Sequence, residues 1–248
     1  MDITAFFRKK ARNLLGRFRS PKPTHATHLQ RATGYFEIGT KSPALEQFFD
    51  PLKDVPGWFN VDDFGHFSLV LGTQALSGIQ GDLFEIGSYH GRSTAVMARH
   101  LRPGERIVVC DAFDLAIEDI ATYGSNFAAP TVDDLIANIK KVSPSLDESR
   151  IVIHKCLSEG LTLDEGDRFR FTHIDGGHTP EQVFADLALA YRHTVPGGII
   201  VMDDYHNSQW FGVTRGTDDF LAQHEDVKVI ADLNRHGASG RKLYLAKL

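Results

Sequence analysis

Beyond residue 82 the chain alternates short apolar runs with stretches of helical periodicity. LFEIG (83–87), RIVVCD (106–111), RIVIH (150–154), FRFTHID (169–175) and GGIIVMDD (197–204) read as five strands. STAVMARHL (93–101), TVDDLIANIKKV (131–142) and TPEQVFADLALAYRHT (179–194) read as helices between them. Thr131 is placed to cap the second helix. Thr179 with Gln182 makes a capping box on the third, with Pro180 at its first position. VKVIADL (227–233) and RKLYLAKL (241–248) follow with no long helix between them and read as a hairpin. Apolar strands alternating with helices imply parallel strands covered on both faces. The pattern predicts an α/β fold: a doubly wound, Rossmann-like sheet of seven strands, mostly parallel, with an antiparallel C-terminal hairpin strand.

Upstream the pattern is different. FGHFSLVLGTQALSG (64–78) reads as one helix, with Asp62 and Asp63 as cap candidates. Residues 20–33 are rich in Pro, Thr and His and read as a linker. In the first twenty residues Arg8, Lys9, Lys10, Arg12, Arg17 and Arg19 face a single acid, Asp2, while Ile3, Phe6, Phe7, Ala11, Leu14, Leu15 and Phe18 share one helical face. Such a helix either docks on its own domain or a second subunit, or lies on an anionic membrane surface. The expected division is a basic amphipathic helix and linker (1–33), a helical cap region (34–80) and the main domain (81–248). The long segment 114–130 has the length of a lid.

Composition narrows the class. Hydrophobic residues make up 42% and charged residues 24%, ordinary values for a soluble globular protein. A net charge of −5 argues against a nucleic-acid-binding surface. Cys110 and Cys156 are the two cysteines and form no CxxC, which fits a reducing cytoplasm rather than a disulfide scaffold. No apolar run approaches the ~20 residues of a membrane-spanning helix.

In such sheets ligands bind at the carboxyl ends of the strands. Four of the five strands end in Gly, Asp or Asp-Asp. FEIGSYHGRS is not a GxGxxG fingerprint, because Tyr89 and Arg92 stand where its later glycines would fall, and no GK[ST] follows. It is an acid-x-Gly-x-x-x-Gly turn. Asp111 closes the next strand, where a carboxylate can accept ribose hydroxyls. Here the chain resembles the class I S-adenosylmethionine-dependent methyltransferases, over roughly residues 80–248. The resemblance implies that Glu85, Gly87, Ser88, Tyr89, Gly91 and Ser93 surround the methionine part of S-adenosylmethionine. It gives Asp111 the ribose, sets Ala112, Phe113 and Ser158 beside the adenine, and adds Asp175 to the cofactor's neighbours.

The fourth and fifth strands should be neighbours, ~4.8 Å apart, which sets Asp175 beside Asp203 and Asp204. Carboxylates this close repel unless a cation sits between them, and hard oxygen donors select Mg2+, Ca2+ or Mn2+ over zinc. His178 lies three residues past Asp175 and can serve as a general base. Asp-x-x-His followed by Asp-Asp resembles the metal-dependent O-methyltransferases that act on sugar hydroxyls of macrolides. That resemblance implies Asp175, Asp203 and Asp204 as ligands of a divalent ion such as Mg2+, and His178 as the base. Catechol-type enzymes differ at the positions of His178 and Asp204. His173 reads as a core histidine alternating away from Asp175's neighbours. A zinc site from His173, His178 and His206 lacks the usual spacing. His90 and His206 are within reach of a substrate, and Trp210 and Phe211 either shape the acceptor pocket or pack the next helix. The expected partner is a small-molecule acceptor, a sugar or glycosylated product, in a cytoplasmic homo-oligomer with possible contact at a membrane surface through residues 1–20. A silent cofactor-binding scaffold, or another transferase or hydroxylase-like enzyme on this fold, remains the alternative.

Overall fold

The computed structural model describes residues 50–115, 129–234 and 240–248. The basic N-terminal stretch, the 20–33 linker and most of the expected lid lie outside the described residues. The elements in order are α1 (Val61–Leu76), β1 (Asp82–Ile86), α2 (Arg92–Arg99), β2 (Ile107–Asp111), α3 (Val132–Val142), β3 (Ile151–Lys155), β4 (Phe169–Ile174), α4 (Pro180–His193), β5 (Thr194–Tyr205), α5 (Phe211–Leu221), β6 (Val227–Asn234) and β7 (Arg241–Lys247). The strands form one seven-stranded sheet, ordered β3-β2-β1-β4-β5-β7-β6. The first five are parallel, and β7 runs antiparallel to both of its neighbours. The fold class matches the pattern read from the sequence.

Local chemistry sets the helix starts. Thr131 accepts from the Asp134 backbone N–H, and Thr179 from that of Gln182, each in a full capping box. The start of α1 corrects one expectation. Its cap is Asn60, whose side chain accepts from the N–H groups of Asp62 and Asp63. Asp63 returns the bond to the Asn60 N–H, so the two aspartates fill the first turn, where negative charge suits the helix dipole.

The sheet is covered on both faces. On one, Phe84 stacks on Phe169 at 4.7 Å and packs with Ile174, Met202, Val183 and Leu187. On the other, the Phe67 ring of α1 meets Phe171 at 4.9 Å and His173 at 5.1 Å. Two polar groups interrupt this second, apolar layer. Arg170 is fully buried, and its guanidinium donates to both oxygens of Glu105 at 2.9 Å, to Gln74 Oε1 and to the His100 carbonyl. The other is a row running from Glu85 through His173 and Asp203 to Lys242, all four buried.

Candidate functional site

The parallel register puts the ends of β1, β2, β4 and β5 at one edge. His173 pairs with Val201 and Ile174 with Met202, so the next step sets Asp175 against Asp203. His173 pairs with Glu85 on the other side.

The glycine loop leaves β1 with Gly87 and Gly91 both at φ 79°. A Cβ on Gly87 would lie 2.0 Å from the Asp175 carbonyl oxygen, so this position allows the β1 and β4 turns to touch. Asp111, ending β2, ties the loop down. Its Oδ2 accepts from the Ser88 N–H (2.6 Å), the Tyr89 N–H (2.8 Å) and Ser88 Oγ (3.0 Å), and its Oδ1 from the Phe113 N–H (2.7 Å). Tyr89 and Phe113 hold positive φ of 49° and 50°, a strained conformation for residues with a Cβ and one that collects at binding sites. Phe113 is buried, while Ala112 and Asp111 keep partial exposure. Ser158 opens a single 3-10 turn and hydrogen-bonds Asp186. Ser93 is buried in the first turn of α2. Arg92, beginning that helix, donates to the carbonyls of Gly57 (2.9 Å), Phe59 (3.0 Å) and Val55, which ties the segment ahead of α1 to the loop. Trp58 in that segment stands 5.4 Å from the Tyr89 ring.

Glu85 stands next to last in β1, beside this loop. It is fully buried: Oε1 lies 2.8 Å from His173 Nδ1, and Oε2 accepts from Thr94 Oγ1. Both of its oxygens have partners within the protein.

At the β4–β5 edge the structure brings Asp175, His178, Asp203 and Asp204 together but divides them. Among the described residues, two groups of three have potential ligand atoms all within 4.8 Å of one another: His173, Asp175 and Asp203, and Asp175, His178 and Asp204. Asp175 belongs to both. The backbone explains the split. Asp204 sits at φ 55°, and the β5–β7 pairing shifts register between Met202 and Tyr205. Asp203 therefore points into the buried row while Asp204 turns toward His178, whose Nε2 lies 3.6 Å from Asp204 Oδ2. The His178 ring stacks on Trp210 at 4.3 Å and 16°. Although Asp175 keeps an exposed face, desolvation of its carboxyl and the Asp203 charge push its pKa up to about 7, above the usual carboxylate range. A cation between these oxygens would remove that penalty.

His173 is a correction. Residues two apart in a strand share a face, so it stands on the side of Asp175 and Asp203, not away from them. Lys242 was missed. Its Nζ donates to Asp203 Oδ2 and lies 3.1 Å from His173 Nε2. A signal was available, because a lysine within an interior strand covered on both faces has no open solvent to reach. Of the side chains left open, His90 stacks edge-on to Tyr89. Phe211 does not pack inward: it is 74% exposed and lines an open cavity of about 410 Å3 with His206, Asn207, Thr214, Arg215 and Asp218.

The set fits an S-adenosylmethionine-like molecule at the β1–β2 edge. A carboxylate for hydroxyls, exposed backbone turns and a buried aromatic meet there, and the acidic mouth at Asp175 suits a sulfonium or ammonium group. The β4–β5 edge offers a hard-oxygen donor set of the kind that holds a divalent cation.

Residues 84–205 match a family model described as a methyltransferase domain. Comparison with curated proteins finds no match. Among solved structures, the O-methyltransferase NovP aligns with a TM-score of 0.59 at 16% identity, over 76% of this chain and 80% of its own. An O-methyltransferase from Bacillus cereus, in complex with S-adenosylhomocysteine, aligns with a TM-score of 0.58 at 19% identity, over 87% and 97%. CalS11, a TDP-rhamnose 3'-O-methyltransferase of calicheamicin biosynthesis, aligns with a TM-score of 0.52 at 18% identity, over 94% and 98%.

Proposed function

We propose that this chain, which carries a methyltransferase domain on the class I S-adenosylmethionine-dependent fold, methylates a hydroxyl of a small-molecule acceptor, a sugar by preference, with help from a divalent cation. The observation that carries the reading is the meeting of Asp175, His178, Asp203 and Asp204 at one strand edge, against the turn that follows β1.

Ser88, Tyr89, Gly87, Gly91 and Asp111 would hold S-adenosylmethionine, with Ala112, Phe113 and Ser158 at the adenine and Ser93 supporting the loop from α2. Asp175, Asp203 and Asp204 would hold the ion, for which Mg2+ suits the oxygen donors. Such an ion supplies Lewis acidity toward the acceptor hydroxyl. Methyl transfer makes an O–C bond and breaks an S–C bond, and the hydroxyl proton must leave. His178 takes that proton. Asp204, 3.6 Å from Nε2, steadies the imidazolium that results, and the Trp210 stack fixes the ring plane. Phe211, Arg215 and Asp218 around the open cavity offer an aromatic face and charged hydrogen-bonding groups, which suit a polyhydroxylated acceptor. The TDP-rhamnose acceptor of CalS11, on the same fold, points the same way.

Calorimetry with S-adenosylhomocysteine, with and without Mg2+, tests the reading at its base: no binding in either case would sink it. His178→Ala is expected to leave that binding within about three-fold while lowering transfer to a TDP-sugar by roughly 10²–10⁴. Undiminished turnover would remove His178 from the role of base.

A further inference from the structure

The two cysteines stand far apart in the chain and close together in the fold. Cys110 lies on β2, one residue before Asp111, and its register partner on β3 is His154. Side chains two apart in a strand share a face, so Cys156, just past the end of β3, falls on the side of Cys110. The Cys156 N–H donates to the Asp111 carbonyl at 3.1 Å, which keeps the two strand ends in step. Both thiols are free. Their sulfurs lie 3.9 Å apart, and Cys110 Sγ is 3.4 Å from the Cys156 carbonyl oxygen. A disulfide needs about 2 Å between sulfurs, so closure is a side-chain movement. Cys110 is buried in the core, whereas Cys156 keeps a partly exposed edge beside the exposed Leu157. An oxidant arriving from solvent meets Cys156 first.

We propose that Cys110 and Cys156 form a reversible disulfide when the protein meets a peroxide, and that this bond weakens the hold on S-adenosylmethionine. The second half rests on the cofactor reading above. The Cys156 thiolate attacks a peroxide oxygen and the O–O bond breaks, leaving a sulfenic acid and a hydroxide that takes up the thiol proton as water. The Cys110 sulfur then attacks the Cys156 sulfur. The S–S bond forms, the S–O bond breaks, and the Cys110 proton leaves with the departing hydroxide as a second water. Two thiols are oxidised and one peroxide is reduced. Burial, with the Cys156 thiol beside it, pushes the Cys110 thiol well above its ordinary range, so it is a poor nucleophile toward solvent species. Its closeness to the Cys156 sulfur offsets that for this one partner. The effect on the cofactor follows from position. Cys110 adjoins Asp111, whose carboxylate accepts from the Ser88 and Tyr89 N–H groups, and Cys156 stands two residues before Ser158. Drawing the sulfurs together pulls on both segments at once.

Hydrogen peroxide on the full chain, followed by alkylation and unreduced peptide mapping, tests the bond. The expected product is a linked peptide pair containing Cys110 and Cys156, separated again by dithiothreitol. Calorimetry should show S-adenosylhomocysteine binding weakened by at least about ten-fold after peroxide, within the range of ordinary coupling between sites, and restored by the reductant. Cys156→Ser should bind within about three-fold of the parent and keep that affinity through peroxide treatment. Cys156 recovered as a sulfinic acid with Cys110 still alkylated, or pairs formed only between chains, would overturn the disulfide. A disulfide that forms without changing affinity would overturn the coupling. A reduced protein that binds no S-adenosylhomocysteine would overturn the cofactor reading and the coupling built on it, whatever the peptide map shows.

Discussion

A buried carboxylate oxygen without a hydrogen bond weighs against the fold, and Asp186 on α4 has one. The residue is 2% exposed, and its Oδ2 has no hydrogen-bond partner. Burial pushes its pKa up to about 6, with a bond from Ser158 pulling down and the Glu159 charge pushing up. The folded value lies above the ~3.9 of an unfolded aspartate, so the ionised group costs stability above pH 6. The cost fades as pH falls through 6 toward 4. Asp186→Asn should therefore stabilise the protein by about 1–3 kcal/mol at pH 8 and by nearly nothing at pH 4. Thermal melts at the two pH values check this, and a larger gain at pH 4 would contradict it. At this scale the sequence revealed residue types more readily than directions. Asp175, His178, Asp203 and Asp204 announce themselves by standing at strand ends after apolar runs. That Asp203 turns in and Asp204 turns out depends on a φ of 55° and a register shift against β7, neither of which a run of letters carries. His173 was legible by strand period alone.

At the level of elements, the site exists because two turns touch. Gly87 and Gly78 both have positive φ, 79° and 71°, but a Cβ at Gly78 meets nothing within 4 Å while one at Gly87 meets the Asp175 carbonyl at 2.0 Å. Alanine at 78 should cost about 1 kcal/mol, the price of the backbone conformation. Alanine at 87 should cost upward of about 3 kcal/mol and abolish S-adenosylhomocysteine binding, since the β4 turn must move. Equal losses in denaturant titrations of the two variants would remove the close approach from the account. The regular elements were legible because apolar period and capping chemistry agree, as at Thr131 and Thr179. The start of α1 was misplaced by three residues, two of them acids, because Asn60 and Asp63 cap each other. The helix after Trp210 has no side-chain cap to mark its beginning, and the sequence left it as an unnamed continuation.

Across the whole molecule, stability depends on charges kept in balanced sets under the helices. Glu105 neutralises Arg170 through paired hydrogen bonds, and although burial would raise its pKa, those bonds and the ones from Arg102 hold it below the usual carboxylate range. Glu105→Ala strands a fully buried guanidinium and should cost about 3–5 kcal/mol. Arg170→Met together with Glu105→Leu should recover much of that in equilibrium unfolding. Failure to recover would show that the pair does more than cancel itself. Neither residue stood out in the sequence, because a single Arg in a strand and a single Glu in a loop become partners only when the sheet is assembled.

The position of β7 has a consequence in time. It lies between β5 and β6 in the sheet but follows both in the chain. β6 has no strand to join until β7 arrives, so the sheet cannot be laid down in the order in which the chain is written. The half that holds β1 to β4 can pair as it emerges, whereas the last two strands must enter together. Hydrogen-exchange pulse labelling during refolding should find the amides of Val227–Asn234 protected no earlier than those of Arg241–Lys247. Early protection of β6 alone would refute this. Lys242 arrives with that late pair, so its contact with Asp203 joins the sheet among the last.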